Sequence, residues 1–266
     1  MDWKQKIIEI YGLGFHVKDI FIFENATHDM SHIIPFFADG YPGIMFQQTK
    51  NGMLLKPQNK YLSDFLLYGQ TIHPIELCVE GAYRFIVFQL QPIAAKALLG
   101  IDPKILNDDC YDLHLLSSIN TKEFTGKLYQ TKDFIAQADI IARFISQLLL
   151  LKVYYPHATI VDAIALIVKR NGKVPIRELT TTLNITERTL QRNFVEHVGV
   201  SPKKFAKIIQ FYTSFNQVTN NSSSSLTDIV YENGFADQSH FIRDFKRFTG
   251  QKPKEIKNKT KQSKER

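Results

Sequence analysis

The chain is short of cysteine, and that alone narrows its chemistry. Cys78 and Cys110 are the only two. Two distant thiols make neither a disulfide scaffold nor a zinc cluster, and they read as reduced residues of a cytoplasmic protein. Long apolar runs are missing too. The best, Gln147-Leu148-Leu149-Leu150-Leu151, stops at Lys152. A spanning helix needs about 18 or more apolar residues, so no membrane partner is expected. The start, Met1-Asp2-Trp3-Lys4-Gln5-Lys6, carries charge but no apolar stretch of the secretory kind. Phosphate-binding Gly-rich loops and the Gly-x-Ser-x-Gly elbow are absent. His28-Asp29-x-x-His32 and His73-Pro74-Ile75-Glu76 offer only pairs of ligand-type side chains, and no His-x-His occurs. No metal, cofactor or catalytic residue is expected, and the chain reads as a non-enzyme.

What is present is ordinary globular material unevenly charged. Hydrophobic residues make up 44% and charged residues 22%, which excludes a chain disordered throughout. A length of 266 residues suggests two domains. Residues 1–156 hold 14 Lys+Arg against 16 Asp+Glu, a net of −2. Residues 157–266 hold 19 against 10, a net of +9. So basic a domain points to a polyanion, most commonly nucleic acid; the plainer alternative is a soluble basic domain with a lysine-rich tail.

The period of the apolar residues changes along the chain. Residues 1–120 are rich in short β-branched and aromatic runs, such as Ile20–Phe23, Gly43–Phe46 and Tyr83–Phe88. Turn formers at Asp39-Gly40, Tyr41-Pro42-Gly43, Asn51-Gly52 and Lys56-Pro57 punctuate them. Asn51-Gly52 is a type I′ hairpin signal. Many short strands suggest a small barrel or sandwich. Pro92–Gly100 reads as a short helix. From 131 to 152 an amphipathic helix is expected, with Phe134, Ala138, Ile141, Ile145 and Leu148 on one stripe. That stripe packs either on its own domain or against a second copy. Tyr154-Tyr155-Pro156 breaks the pattern and marks the domain boundary.

After the boundary the pattern is helical. Helices are expected over 158–169, 176–183, 187–197, 202–218, 226–233 and 237–248, with a serine-rich loop at 220–225 and a frayed basic tail from 257 to 266. Ser225-Leu226-Thr227-Asp228 resembles a capping box. Two segments repeat one plan of short helix, tight turn and second helix, and the second helices start 51 residues apart. A pair of helix-turn-helix units in a basic domain is a DNA-reading arrangement. In the first unit, Arg188, Gln191 and Arg192 share one face, opposite Leu190 and Phe194. In the second, His240 and Arg243 share a face, as do Ser239 and Arg243, opposite Phe241, Phe245 and Phe248. Such outward groups reach guanine, adenine or phosphate, where a solvated surface is the bland alternative. The connecting helix of about 17 residues spans roughly 25 Å. Successive major-groove segments on one DNA face lie about 34 Å apart, so two joined units can read adjacent grooves.

The run Asp228-Ile229-Val230-Tyr231-Glu232-Asn233-Gly234-Phe235-Ala236-Asp237-Gln238-Ser239-His240-Phe241-Ile242-Arg243-Asp244-Phe245-Lys246-Arg247-Phe248-Thr249-Gly250, with Pro253 after it, resembles the signature of the AraC/XylS family of bacterial transcription regulators. Thr189–Phe194 and Gly199–Phe205 resemble the family's first unit. The resemblance covers about 100 residues, 158–256. Thr180 stands where the family usually has Ala, and Gln210-Phe211 where it usually has Arg-Leu. By position, the resemblance implies base-reading roles for Arg188, Gln191 and Arg192 in the first unit and for Gln238, Ser239, His240 and Arg243 in the second.

The expected fold is therefore α+β in two domains. A β-rich, barrel-like domain (1–156) precedes an all-α DNA-binding domain (157–256) with two helix-turn-helix units. The expected function is sequence-specific regulation of transcription on double-stranded DNA. The resemblance implies a first domain that binds a small-molecule effector, forms a homodimer, or both, with RNA polymerase as a further partner. An interaction module without a ligand is the alternative. A sensor should carry an apolar pocket with few polar groups, an interaction module an exposed apolar patch, and an enzyme a polar cleft with paired titratable groups.

Overall fold

The computed structural model describes residues 2–28, 30–151, 157–220 and 225–264, with side chains through residue 260. The Tyr154-Tyr155-Pro156 boundary, Asp29 and residues 221–224 of the serine loop lie outside these ranges. The first half contains α1 (Trp3–Ile10), β1 (Val17–Asn25), β2 (Ser31–Phe36), β3 (Gly43–Thr49), β4 (Met53–Lys56), β5 (Lys60–Leu62), β6 (Phe65–Tyr68), β7 (Ile75–Glu80), β8 (Tyr83–Leu90), α2 (Ala94–Leu99), β9 (Cys110–Asp112), α3 (Thr121–Gln130) and α4 (Phe134–Leu150). The second contains α5 (Ala158–Lys169), α6 (Ile176–Thr182), α7 (Glu187–Val198), α8 (Pro202–Asn220), α9 (Leu226–Glu232), α10 (Gln238–Thr249) and α11 (Pro253–Lys264).

The strands form two antiparallel sheets rather than a closed barrel. One has the order β1-β8-β3-β6-β9 and the other β2-β7-β4-β5. Alternation along β3 explains the layering. Ile44 and Phe46 join Phe65, Leu67, Ile86 and Phe88 under the helices, while Met45 faces the second sheet with Leu55, Leu77 and Val87. The gap between the sheets is filled: the void among Phe36, Met45, Tyr68 and Leu77 is about 10 Å³, enough for about one water. Asn51-Gly52 does not close a hairpin. β3 already has β6 and β8 on its two edges, so the chain turns at Gly52 (φ +82°) into the other sheet, where β4 pairs with β5 and β7.

The stripe of α4 packs on its own domain from Ala138 onward, whereas Phe134 at its start is 39% exposed. Ala138, Ile141, Ile145 and Leu148 are at most 2% exposed and share one core with α1 and the first sheet. Asp133 caps this helix by accepting from Ala136 N at 2.7 Å. In the second half the caps fall where the sequence places them. Ser225 and Asp228 form a reciprocal capping box, and Gly199 and Gly250 end α7 and α10 in the left-handed conformation. The expected frayed tail is instead largely helical. α11 runs to Lys264 because Pro253 opens it and Ile256 is buried in the core of the second unit. Among the described residues no helix is long and apolar enough to cross a membrane.

Candidate nucleic-acid interface

Each helix-turn-helix unit is built on its own apolar core. In the first, Leu179, Leu190, Phe194 and Val198 pack with Ile160, Ile167 and Phe205. Thr186 starts α7 by accepting from Thr189 N at 3.1 Å. With that face committed, Arg188, Gln191 and Arg192 emerge on the other, and all three are exposed. In the second unit, Ile229, Phe235, Phe241, Phe245 and Phe248 pack against Phe211 of α8. Gly234 makes the turn at φ +71°, and Asp237 caps α10 by accepting from His240 N at 2.7 Å. Gln238, Ser239 and Arg243 are exposed. None of these six side chains has a hydrogen-bond or ion-pair partner among the described residues, so each is available to a ligand.

His240 differs from the other expected readers. It is half-buried, with Nε2 3.2 Å from Oδ2 of buried Asp244 and its ring edge-on to Phe235. Asp244 also pairs with Lys207 of α8 at 3.3 Å. Thus His240 helps tie α10 to the connector, a role that its i, i+4 spacing to Asp244 makes legible in retrospect.

α8 holds the two units in one block. It has 19 residues, or roughly 28 Å of helix. Gln210 donates to Asn233 O at 2.8 Å and so satisfies the end of α9. Lys173, from the first unit's entry loop, donates to Glu232 O at 2.9 Å. Gly172 lets that loop approach: a Cβ there would stand 2.2 Å from Ala206 O.

The strand-rich half packs against both units. Tyr41 and Ile93 enter the first unit's core, and Ala38 enters the second's. Beside this seam lies a cleft of about 530 Å³, walled by Phe15, Lys18, Tyr41, Ile93, Ile164 and Val168. Its lining is mostly apolar, with Lys18 Nζ 3.3 Å above the Tyr41 ring. Asp39 sits close by, accepting from Gln89 Nε2 at 2.6 Å and Tyr41 N at 2.8 Å. Burial pushes its carboxyl up to about 6, against the opposing pull of those two donors and of the Lys18 charge. Burial likewise lowers Lys18, with Asp39 opposing. Sequence reasoning missed this cleft, because its walls come from four segments, around Lys18, Tyr41, Ile93 and Ile164, that are separate along the chain and whose docking no local period reports. Among the described residues no group of three or more His, Cys, Asp or Glu stands ready to hold a metal.

Comparison with known proteins gives matches to both halves. Residues 179–259 match the family described as a helix-turn-helix domain, and residues 12–112 match a domain of unknown function, DUF6597. The HTH-type transcriptional activator RhaS of Escherichia fergusonii is 33% identical over 70 residues, 26% of this chain and 25% of that protein. RhaS of Yersinia pestis is 31% identical over 81 residues, 30% of this chain and 29% of that one. The chain thus matches about a quarter of the length of these curated relatives. Among solved structures, ToxT from Vibrio cholerae aligns over 90% of this chain and 97% of its own, with TM-score 0.52 and 13% identity. A second ToxT structure, bound to (E)-4-(8-methylnaphthalen-1-yl)but-3-enoic acid, aligns with TM-score 0.51 and 13% identity. At such identity the likeness to ToxT is one of fold: a strand-rich domain followed by the paired helix-turn-helix block.

Proposed function

We propose that this chain, a member of the AraC/XylS family of transcription regulators, binds double-stranded DNA sequence-specifically through α7 and α10, under the control of a small effector at the seam between its halves. The observation that carries the DNA reading is the paired one. Two helices on one rigid connector each turn an apolar face inward and leave unpaired Arg, Gln or Ser outward. A solvated surface needs no such repetition. Arg188, Gln191 and Arg192 would enter one major-groove segment, and Gln238, Ser239 and Arg243 the next. The excess of Lys and Arg in the second half would neutralise phosphates, giving affinity that falls steeply with salt.

The effector reading rests on the cleft. Its apolar walls favour an apolar body, and Lys18 offers a cation to an acidic group. The acid bound in one ToxT structure is of that chemical kind, which supports the reading without extending it to this chain. The interior between the sheets is too full to serve.

Two titrations of the full chain test these points. Labelled duplexes from a random pool, enriched by repeated selection, should converge on a common sequence. Recovery of random sequence only, at any salt, would reject the base-reading assignment. The naphthyl-butenoic acid should raise the melting temperature of the wild-type chain and not of Lys18→Ala. Equal shifts in both would remove Lys18 from the site.

A further inference from the structure

Two joined loops of the strand-rich half, 103–108 and 72–74, reach the closing turns of the helices assigned to DNA, the first at α7 and the second at α10. Asn107 Nδ2 donates to Gly199 O at 3.0 Å, and Gly199 is the left-handed residue that ends α7. The carbonyl of Pro103, in the same loop, stands 2.7 Å from where a Cβ on Gly199 would be. Asp108 turns the other way, at φ +57°. Its carboxylate accepts from Ile72 N at 2.6 Å and His73 N at 3.0 Å, and it pairs with His73 Nδ1 at 2.6 Å. Those bonds set the segment 72–74. Ile72 packs against the cores of both units, and Pro74 lies 3.9 Å from the Cβ position of Gly250, the residue that ends α10.

We infer that Asn107 and Asp108 are positioning residues for DNA recognition: together they form a bracket that fixes the spacing and rotation of α7 relative to α10. This rests on the reading of those helices as base readers. α8 and the Lys173–Glu232 bond join the units on the α9 side; the closing ends of α7 and α10 lie away from that tie, and what packs across them sets their remaining twist. The bracket packs across them at the ends remote from the N-terminal turns, where a small rotation moves the base-reading residues most. Hydrogen-bonded backbone at Ile72 and His73 makes it stiff, and Ile72 wedged between two cores makes it sensitive to both.

The test measures spacing directly. In the full chain with Cys78→Ser and Cys110→Ser, spin labels at Glu196→Cys on α7 and Lys246→Cys on α10 report the distance between the helices. The wild-type bracket should give one narrow distribution. The pair Asn107→Ala with Asp108→Gly keeps the left-handed backbone position and removes both side chains. Its distribution should roughly double in width. Asp108→Asn, which still accepts from both amides, should stay close to the wild-type width. Asn107→Ala alone should broaden the distribution in a chain that keeps every Asp108 bond, which guards against a double variant that fails to fold. An unchanged width in either Asn107 variant, with native helix content, overturns the inference. Selection from a random duplex pool supplies the functional arm. Wild type should recover paired elements at one spacing, and the double variant at several. Recovery of one unchanged spacing would also overturn it. Broadening in a chain that binds no duplex would leave the bracket standing and remove the DNA reading of α7 and α10.

Discussion

The two helix-turn-helix units share a plan but are held differently. The first is gripped: Asn107 bonds the end of α7, and the backbone at Pro103 closes on Gly199 so tightly that no side chain fits there. The second is held by apolar packing: Ala38 lies in its core, Ile72 packs against it, and Pro74 rests at van der Waals distance from Gly250, while α10 is secured from within by its phenylalanines and the Asp244–Lys207 pair. The strand-rich half is therefore joined to the first unit by a directed hydrogen bond and close backbone packing, and to the second by apolar contacts. The same difference should divide the effects of mutation.

The largest effect is expected at Gly199. Gly199→Ala places a Cβ at positive φ and into the Pro103 carbonyl, costing roughly 2–4 kcal/mol of stability. Gly234→Ala also pays for positive φ but meets only the flexible Lys173 side chain at 3.2 Å, so about 1 kcal/mol is expected. Chemical denaturation of both variants checks the order, and equal losses would show that the backbone at Pro103 yields to a Cβ at Gly199. A β-branched Gly234→Val should cost more than Gly234→Ala and loosen Phe235, which is 5% exposed.

Next comes His240→Ala. It leaves buried Asp244 with Lys207 alone, and a loss of about 1 kcal/mol is expected, most of it in stability rather than in base discrimination. Comparison of melting temperature with the operator-to-unrelated ratio separates the two. A large drop in the ratio at unchanged stability would make His240 a reader after all. The smallest effect belongs to Lys259→Ala, outside both units. It should lower affinity for every duplex alike, with a salt slope shallower by at most about one. A sequence-dependent loss there would extend the reading surface to α11.

The second half of the fold was almost wholly legible in the sequence. The starts of α5, α7 and α8, the Ser225–Asp228 box and the glycine ends agree with expectation to within one or two residues, because caps and the 3.6-residue period are local physics. The outward faces followed, since fixing Leu190 and Phe194 inward leaves Arg188, Gln191 and Arg192 no other side. The first half was legible only as strand-rich. Asn51-Gly52 has the chemistry of a hairpin, yet which edge of β3 is free is decided by β6 and β8, far along the chain. α1 and α3 escaped notice because one is short and the other carries a mid-helix Gly126. His240 stands on the outward face but is half-buried against Asp244, and a face says nothing about a partner four residues on. The seam with Lys18, Asp39 and Tyr41, and the bracket at Asn107 and Asp108, depend on one half docking on the other, and no periodicity reports that.

The most direct measurement is a pair of titrations with Arg192→Ala and Arg243→Ala in the full chain, each against the selected operator and an unrelated duplex at fixed salt. One arginine stands on each proposed reading face. Each substitution should lower the operator-to-unrelated ratio by about 5- to 150-fold, the equivalent of about 1–3 kcal/mol for a lost bidentate base contact. If affinity for both duplexes instead falls together and the ratio stays unchanged in both variants, the two helices hold phosphates and do not read bases.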